Sequence, residues 1–125
     1  MALELASLPG VVSISDYVRA VDRFVRMHTR LIDEPEELLI DPRFAIDQIK
    51  ERGYFFGDCD DTSLLIASLL TVVGIATRFK AISERADGSF GHVFVEFKHG
   101  ETWKAIDSTL PFAVIYRGPY LVLEV

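Results

Sequence analysis

Ile14, Tyr17, Val18, Val21, Phe24 and Val25 recur at intervals of three and four, and His28 continues the stripe. That spacing predicts a helix with one apolar face. Ser13 or Ser15 is placed to cap its start. The stretch "LIDEPEELLIDP" breaks the period and reads as a linker. Asp41 followed by Pro42 marks a second helix start, with Asp as cap and Pro in the first turn. Phe44, Ile46 and Ile49 continue that helix, and Gly53 is its expected stop.

A third helix is expected from Asp58. Leu64, Leu65, Ile66, Ala67, Leu69, Leu70, Val72 and Val73 leave it almost no polar face, so it should be buried. Gly74 is the expected end. Beyond it the period changes from helical to alternating. "ATRFKAIS", "HVFVEFK", "TWKAIDS" and "YLVLEV" read as strands, with "ADGSFG" and "HG" as turns. Helices first and strands later predict an α+β fold in which N-terminal helices pack on an antiparallel sheet. The 125 residues suit a single domain over 1–125.

Composition narrows the chemistry. The formal net charge of −6 disfavours nucleic acid or an anionic membrane as a partner. The single cysteine, Cys59, forms no internal disulfide and rules out a zinc site of several cysteines. The N-terminus has no basic region before an apolar run, so no signal peptide is expected. The longest apolar stretch is too short to span a bilayer. A cytoplasmic protein without cofactor is the expectation.

Cys59 stands among Asp58, Asp60 and Asp61, just ahead of the apolar helix. A helix N-terminus favours a thiolate, because its unpaired N–H groups carry partial positive charge. The three carboxylates oppose it, so a cation must stand near a reactive Cys59. Histidine is the usual one. His28 lies on the apolar face of the first helix, and His99 sits before Gly100 in an expected turn. His92 opens a strand on which Phe94 and Glu96 share its face. A two-residue turn at His99–Gly100 would pair Lys98 with Glu101 and set His92 opposite Asp107. A carboxylate there would orient the imidazole by accepting one ring N–H. A three-residue loop would put the two on opposite faces.

"GDCDDTSLLIASLLTVVGIATRF", "GHVFVEF" and "WKAIDST", in that order, resemble the transglutaminase-like superfamily. The resemblance runs from about Phe44 to Thr109. It implies a papain-like core with Cys59 as nucleophile, His92 as general base and acid, and Asp107 orienting His92. It also implies acyl transfer on a protein or peptide substrate. Hydrolysis, in the manner of a cysteine protease or amidase, is the leading expectation; crosslinking or an inactive binding module are the alternatives. The Cys59 N–H is a candidate oxyanion donor, with Tyr54 a weaker one. Asp58, Asp60 and Asp61 are expected to serve as cap and dipole partners rather than as a calcium site. The acidic surface mildly favours basic substrates.

Overall fold

The computed structural model describes residues 1–32, 40–82, 92–106 and 120–124. A short helix α1 (Ala2–Ala6) precedes α2 (Ile14–His28), whose N-cap Ser13 accepts the Asp16 amide. Strand β1 (Thr29–Leu31) follows directly, then α3 (Pro42–Arg52), capped by Asp41. Strand β2 (Phe55–Gly57) leads into α4 (Cys59–Thr71). The remaining elements are strands: β3 (Thr77–Ile82), β4 (His92–His99), β5 (Thr102–Ile106) and β6 (Tyr120–Glu124). Among the described residues no helix is long and apolar enough to cross a membrane.

The expected α+β order holds. The larger sheet runs β5-β4-β3-β6, and all its described pairings are antiparallel. Helix α4 is the centre of the packing, touching α2, α3 and strands β2, β3 and β4. Leu65, Ile66 and Leu70 of α4, Val21 and Val25 of α2, and Val95 of β4 are at most 1 % exposed. They form one core with Phe55, Phe97 and Ile106. Burying a side chain of this size contributes about 1.5–3 kcal/mol each, so the seating of α4 is energetically dominant.

The buried helix is shorter than its apolar run. It ends at Thr71, and Val72 and Val73 stand in the following turn at 69 % and 41 % exposure. Gly74 takes φ +86, which lets the Ile75 N–H fold back onto the Leu70 carbonyl. A left-handed glycine is the common way to close a helix. The last four carbonyls of a helix lack intrahelical partners, and here all four find one. Val72 N–H serves Ser68, Val73 and Ile75 serve Leu70, and Gly74 serves Thr71. Leu69 receives the Tyr17 hydroxyl at 2.5 Å, from 52 residues away in sequence.

Burial raises the Tyr17 pKa above its ordinary value. A hydroxyl whose pKa is higher folded than unfolded supports the fold fully below about pH 10. That support is lost as pH rises through the folded value. Tyr17→Phe is expected to cost about 1 kcal/mol at neutral pH, since the Leu69 carbonyl loses its donor. The variant should also lose stability less steeply in alkali. Urea midpoints at about pH 8 and about pH 11 test both, and an equally steep alkaline decline would refute the assignment.

Three elements escaped the sequence pattern: α1, β1 and β2. Helix α1 is a single short piece. Strands β1 and β2 form a separate parallel ribbon, with Thr29 opposite Phe55, Arg30 opposite Phe56 and Leu31 opposite Gly57. Ile32 N–H extends that ribbon to the Gly57 carbonyl. The pairing ties the end of α2 to the segment that enters α4.

Candidate active site

Cys59 is the first residue of α4 and is half-buried. Three local devices fix it. Asp58 caps the helix, its carboxylate accepting the N–H groups of Asp60 and Asp61. Asp61 returns the bond by accepting the Asp58 N–H at 3.1 Å, which completes a capping box. Its other oxygen accepts the Ile40 N–H at 2.8 Å. Asp61 is 2 % exposed. Burial pushes its carboxyl upward, while the two backbone N–H bonds pull it back down.

Gly57 supplies the third device. A Cβ there would lie 2.8 Å from the Phe55 ring and 3.0 Å from the Asp61 Cβ. Only glycine lets the chain pass between them into the cap. Asp58, as expected of the cap, and Asp61, expected only as a dipole partner, are thus both committed to backbone N–H groups. Among the described residues no cluster of three or more metal-ligating side chains is arranged around a common point. Asp60 lies beside the thiol, which donates a weak hydrogen bond to it with Sγ–Oδ1 at 4.0 Å.

His92 is the first residue of β4. Two hydrogen bonds orient α4 along this strand. The Ser63 hydroxyl donates to the Val93 carbonyl, and Lys98 N–H donates to Ala76, just past the helix. Helix and strand therefore run in the same direction. Cys59, one turn ahead of Ser63 on the same face, lies at the end of the pair where His92 stands. His92 shares its sheet face with Phe94, their ring centroids 6.4 Å apart, and with the buried Glu96. Val93, Val95 and Phe97 point to the other face, where Val95 and Phe97 join the core. None of the thiol's described hydrogen bonds reaches His92.

The hairpin register differs from the one expected. The turn is Gly100–Glu101, with Gly100 at φ +65. Lys98 pairs with Trp103, not Glu101, and His99 pairs with Thr102 as the last strand residue. The glycine sits at the first turn position, which requires φ > 0, and this moves the ladder by two residues. The ladder does not have the register, built on a turn at His99–Gly100, that would set His92 directly opposite Asp107. A shift of two keeps every residue on its own face. Asp107 lies outside the described residues, as does the "ADGSFG" turn.

His28 and Tyr54 have local roles. His28 Nδ1 donates to the Phe24 carbonyl at 2.7 Å, and its ring packs on Phe24. Tyr54 carries the guanidinium of Arg30 over its ring at 5.0 Å and that of Arg52 at 4.9 Å. It is a stacking platform beside the site.

A four-stranded antiparallel sheet with a central buried helix, and a lone cysteine at that helix's N-terminus, can be compared with known architectures. LapG of Legionella pneumophila superposes with a TM-score of 0.59 at 18 % identity, over 86 % of this chain and 58 % of that one. A TGase superposes with a TM-score of 0.58 at 18 % identity, over 94 % of this chain and 32 % of that one. The fold is transglutaminase-like. No family model and no curated protein sequence matches the chain. The chain spans less than two thirds of the length of either structural neighbour. The likeness is carried by architecture, with little sequence identity behind it.

Proposed function

We propose that the protein is a cysteine-dependent acyl-transfer enzyme that hydrolyses an amide or peptide bond. The observation that carries this reading is the placement of Cys59. The chain's one thiol stands on the first residue of the central helix of a transglutaminase-like fold, at the end of the helix–strand pair where His92 stands. In the resting state the thiol's neighbour is a carboxylate. A cation must displace that influence before sulfur becomes a nucleophile, and His92 is the residue proposed to do so. Catalytic hydrogen bonds are commonly long before substrate binds. Asp107 is proposed to orient the imidazole.

In the proposed cycle the Cys59 thiolate attacks the carbonyl carbon, and its electron pair forms the C–S bond. The carbonyl electrons move to oxygen, where the Cys59 N–H is the proposed donor to the oxyanion. As the tetrahedral species collapses, His92 protonates the departing nitrogen and the C–N bond breaks. Water then attacks the thioester, giving its proton to His92, and the acid leaves with the thiolate restored.

Iodoacetamide labelling followed across pH tests the pair. Wild-type Cys59 is expected to react at neutral pH at least about tenfold faster than a free thiol. His92→Ala should abolish that advantage. Asp107→Ala should depress turnover more than labelling, because its proposed role is to hold the ring. Equal labelling of wild type and His92→Ala would remove the ion pair and with it this reading.

A further inference from the structure

The segment leading into Cys59 carries an unusual surface. Phe56, in the middle of β2, is 42 % exposed and lies opposite Arg30 in the parallel ribbon. Tyr54 meets it edge-on, with ring centroids 5.4 Å apart. The guanidiniums of Arg30 and Arg52 both approach the Tyr54 ring, and Arg52 also lies 5.3 Å from the centre of Phe56. Arg52 Nε donates to the Tyr54 carbonyl, which fixes the guanidinium against the rings. Among the described residues neither arginine is paired with a carboxylate.

That pairing state is informative in this chain. It has 19 acidic residues against 13 basic ones, and three of the acids follow within a few residues of Phe56. Arginines that merely cover aromatic rings gain from any nearby carboxylate. Here two exposed guanidiniums converge on one ring, and an anion arriving there can be held by charge-assisted hydrogen bonds. The rings hold the guanidiniums in place, so less ordering is needed when an anion arrives.

We infer that Arg30 and Arg52, held on Tyr54 and Phe56, form a subsite for an acidic side chain of the substrate. The inference rests on the reading of Cys59 as nucleophile. Phe56 precedes Cys59 by three residues, which span at most roughly 11 Å. An extended substrate advances about 3.3 Å per residue. The acidic residue therefore falls within about three positions of the bond attacked. This local preference opposes the one suggested by the net charge of −6, which would favour basic substrates.

Fluorescence anisotropy with the Cys59→Ala protein tests the subsite without any dependence on turnover. The probes are two fluorescein-labelled peptides, Gly-Gly-Glu-Glu-Ala-Gly-Gly-Ala and its Gln-Gln twin. The acidic peptide should bind about tenfold more tightly at low salt. Half-molar sodium chloride, where screening acts within a few ångströms, should erase the difference. Arg30→Gln with Arg52→Gln should also erase it, and the Lys versions should restore part of it. Equal binding of the two peptides, or a preference that survives the Gln pair, overturns the proposal. Failure of the catalytic reading shows separately, as ordinary labelling of the wild-type thiol.

Discussion

Cys59→Ala is expected to abolish hydrolysis of any amide that the wild-type protein cleaves, a loss of about 10⁴-fold or more. The fold should barely notice. The residue is half-buried, and its one described hydrogen bond is the long contact to Asp60. A stability change within about 1 kcal/mol is expected for such a site. Cys59→Ser should be equally inactive, because a hydroxyl beside a carboxylate is a far weaker nucleophile than a thiolate. The check is cleavage of a protein or peptide substrate followed by mass spectrometry, with urea unfolding of the same samples. Turnover that survives in Cys59→Ala would place the chemistry on another residue.

The largest expected effect on stability lies on the sheet. Glu96 is 8 % exposed and holds Arg78 Nη2 at 2.6 Å and Lys80 Nζ at 3.1 Å. Arg78 also stacks over Trp103 at 4.2 Å. Glu96→Ala would take the shared carboxylate from two mostly buried cations that stand two residues apart on one face of β3. Breaking a buried pair by removing one partner costs about 3–5 kcal/mol, because an uncompensated charge stays behind. Partial solvent access to Arg78 and Lys80 sets the expectation at about 3 kcal/mol. Replacing all three by apolar residues of similar size should cost much less, since no charge is then stranded. Urea unfolding of the single and triple variants separates the cases. A single-variant loss below about 1 kcal/mol would mean that water already solvates the cluster.

The elements legible in the sequence were those whose signals are local. Ser13, Asp41 and Asp58 are caps because their side chains reach N–H groups two or three residues on. The helix stop at Gly74 was equally visible, although its apolar run did not reveal that Val72 and Val73 lie beyond the last turn. Strand identity came from alternation in the same way.

What could not be read depended on partners distant in sequence. The pairing of Arg30 with Phe56 joins segments 26 positions apart, and three-residue strands leave no periodic trace. The hairpin register turned on which residue took φ > 0, and Gly100 was placed one position too late in the expected turn. At the site, Cys59 and His92 were singled out by residue type and context. Asp61 was read as a dipole partner, whereas it is the buried acceptor that anchors Ile40. Its only sequence signal was the three-residue spacing from Asp58, the spacing of a capping box.

That anchoring has a consequence for how this corner of the molecule opens to solvent. The amides of Ile40 and Asp58 belong to no helix or strand, yet both end on one buried carboxylate. Both protons are released to water when Asp61 itself swings out, and Asp61 is part of the first turn that carries the thiol. Solvent exchange at two loop amides thus becomes a clock for the integrity of the turn that carries the thiol, readable without touching the sulfur.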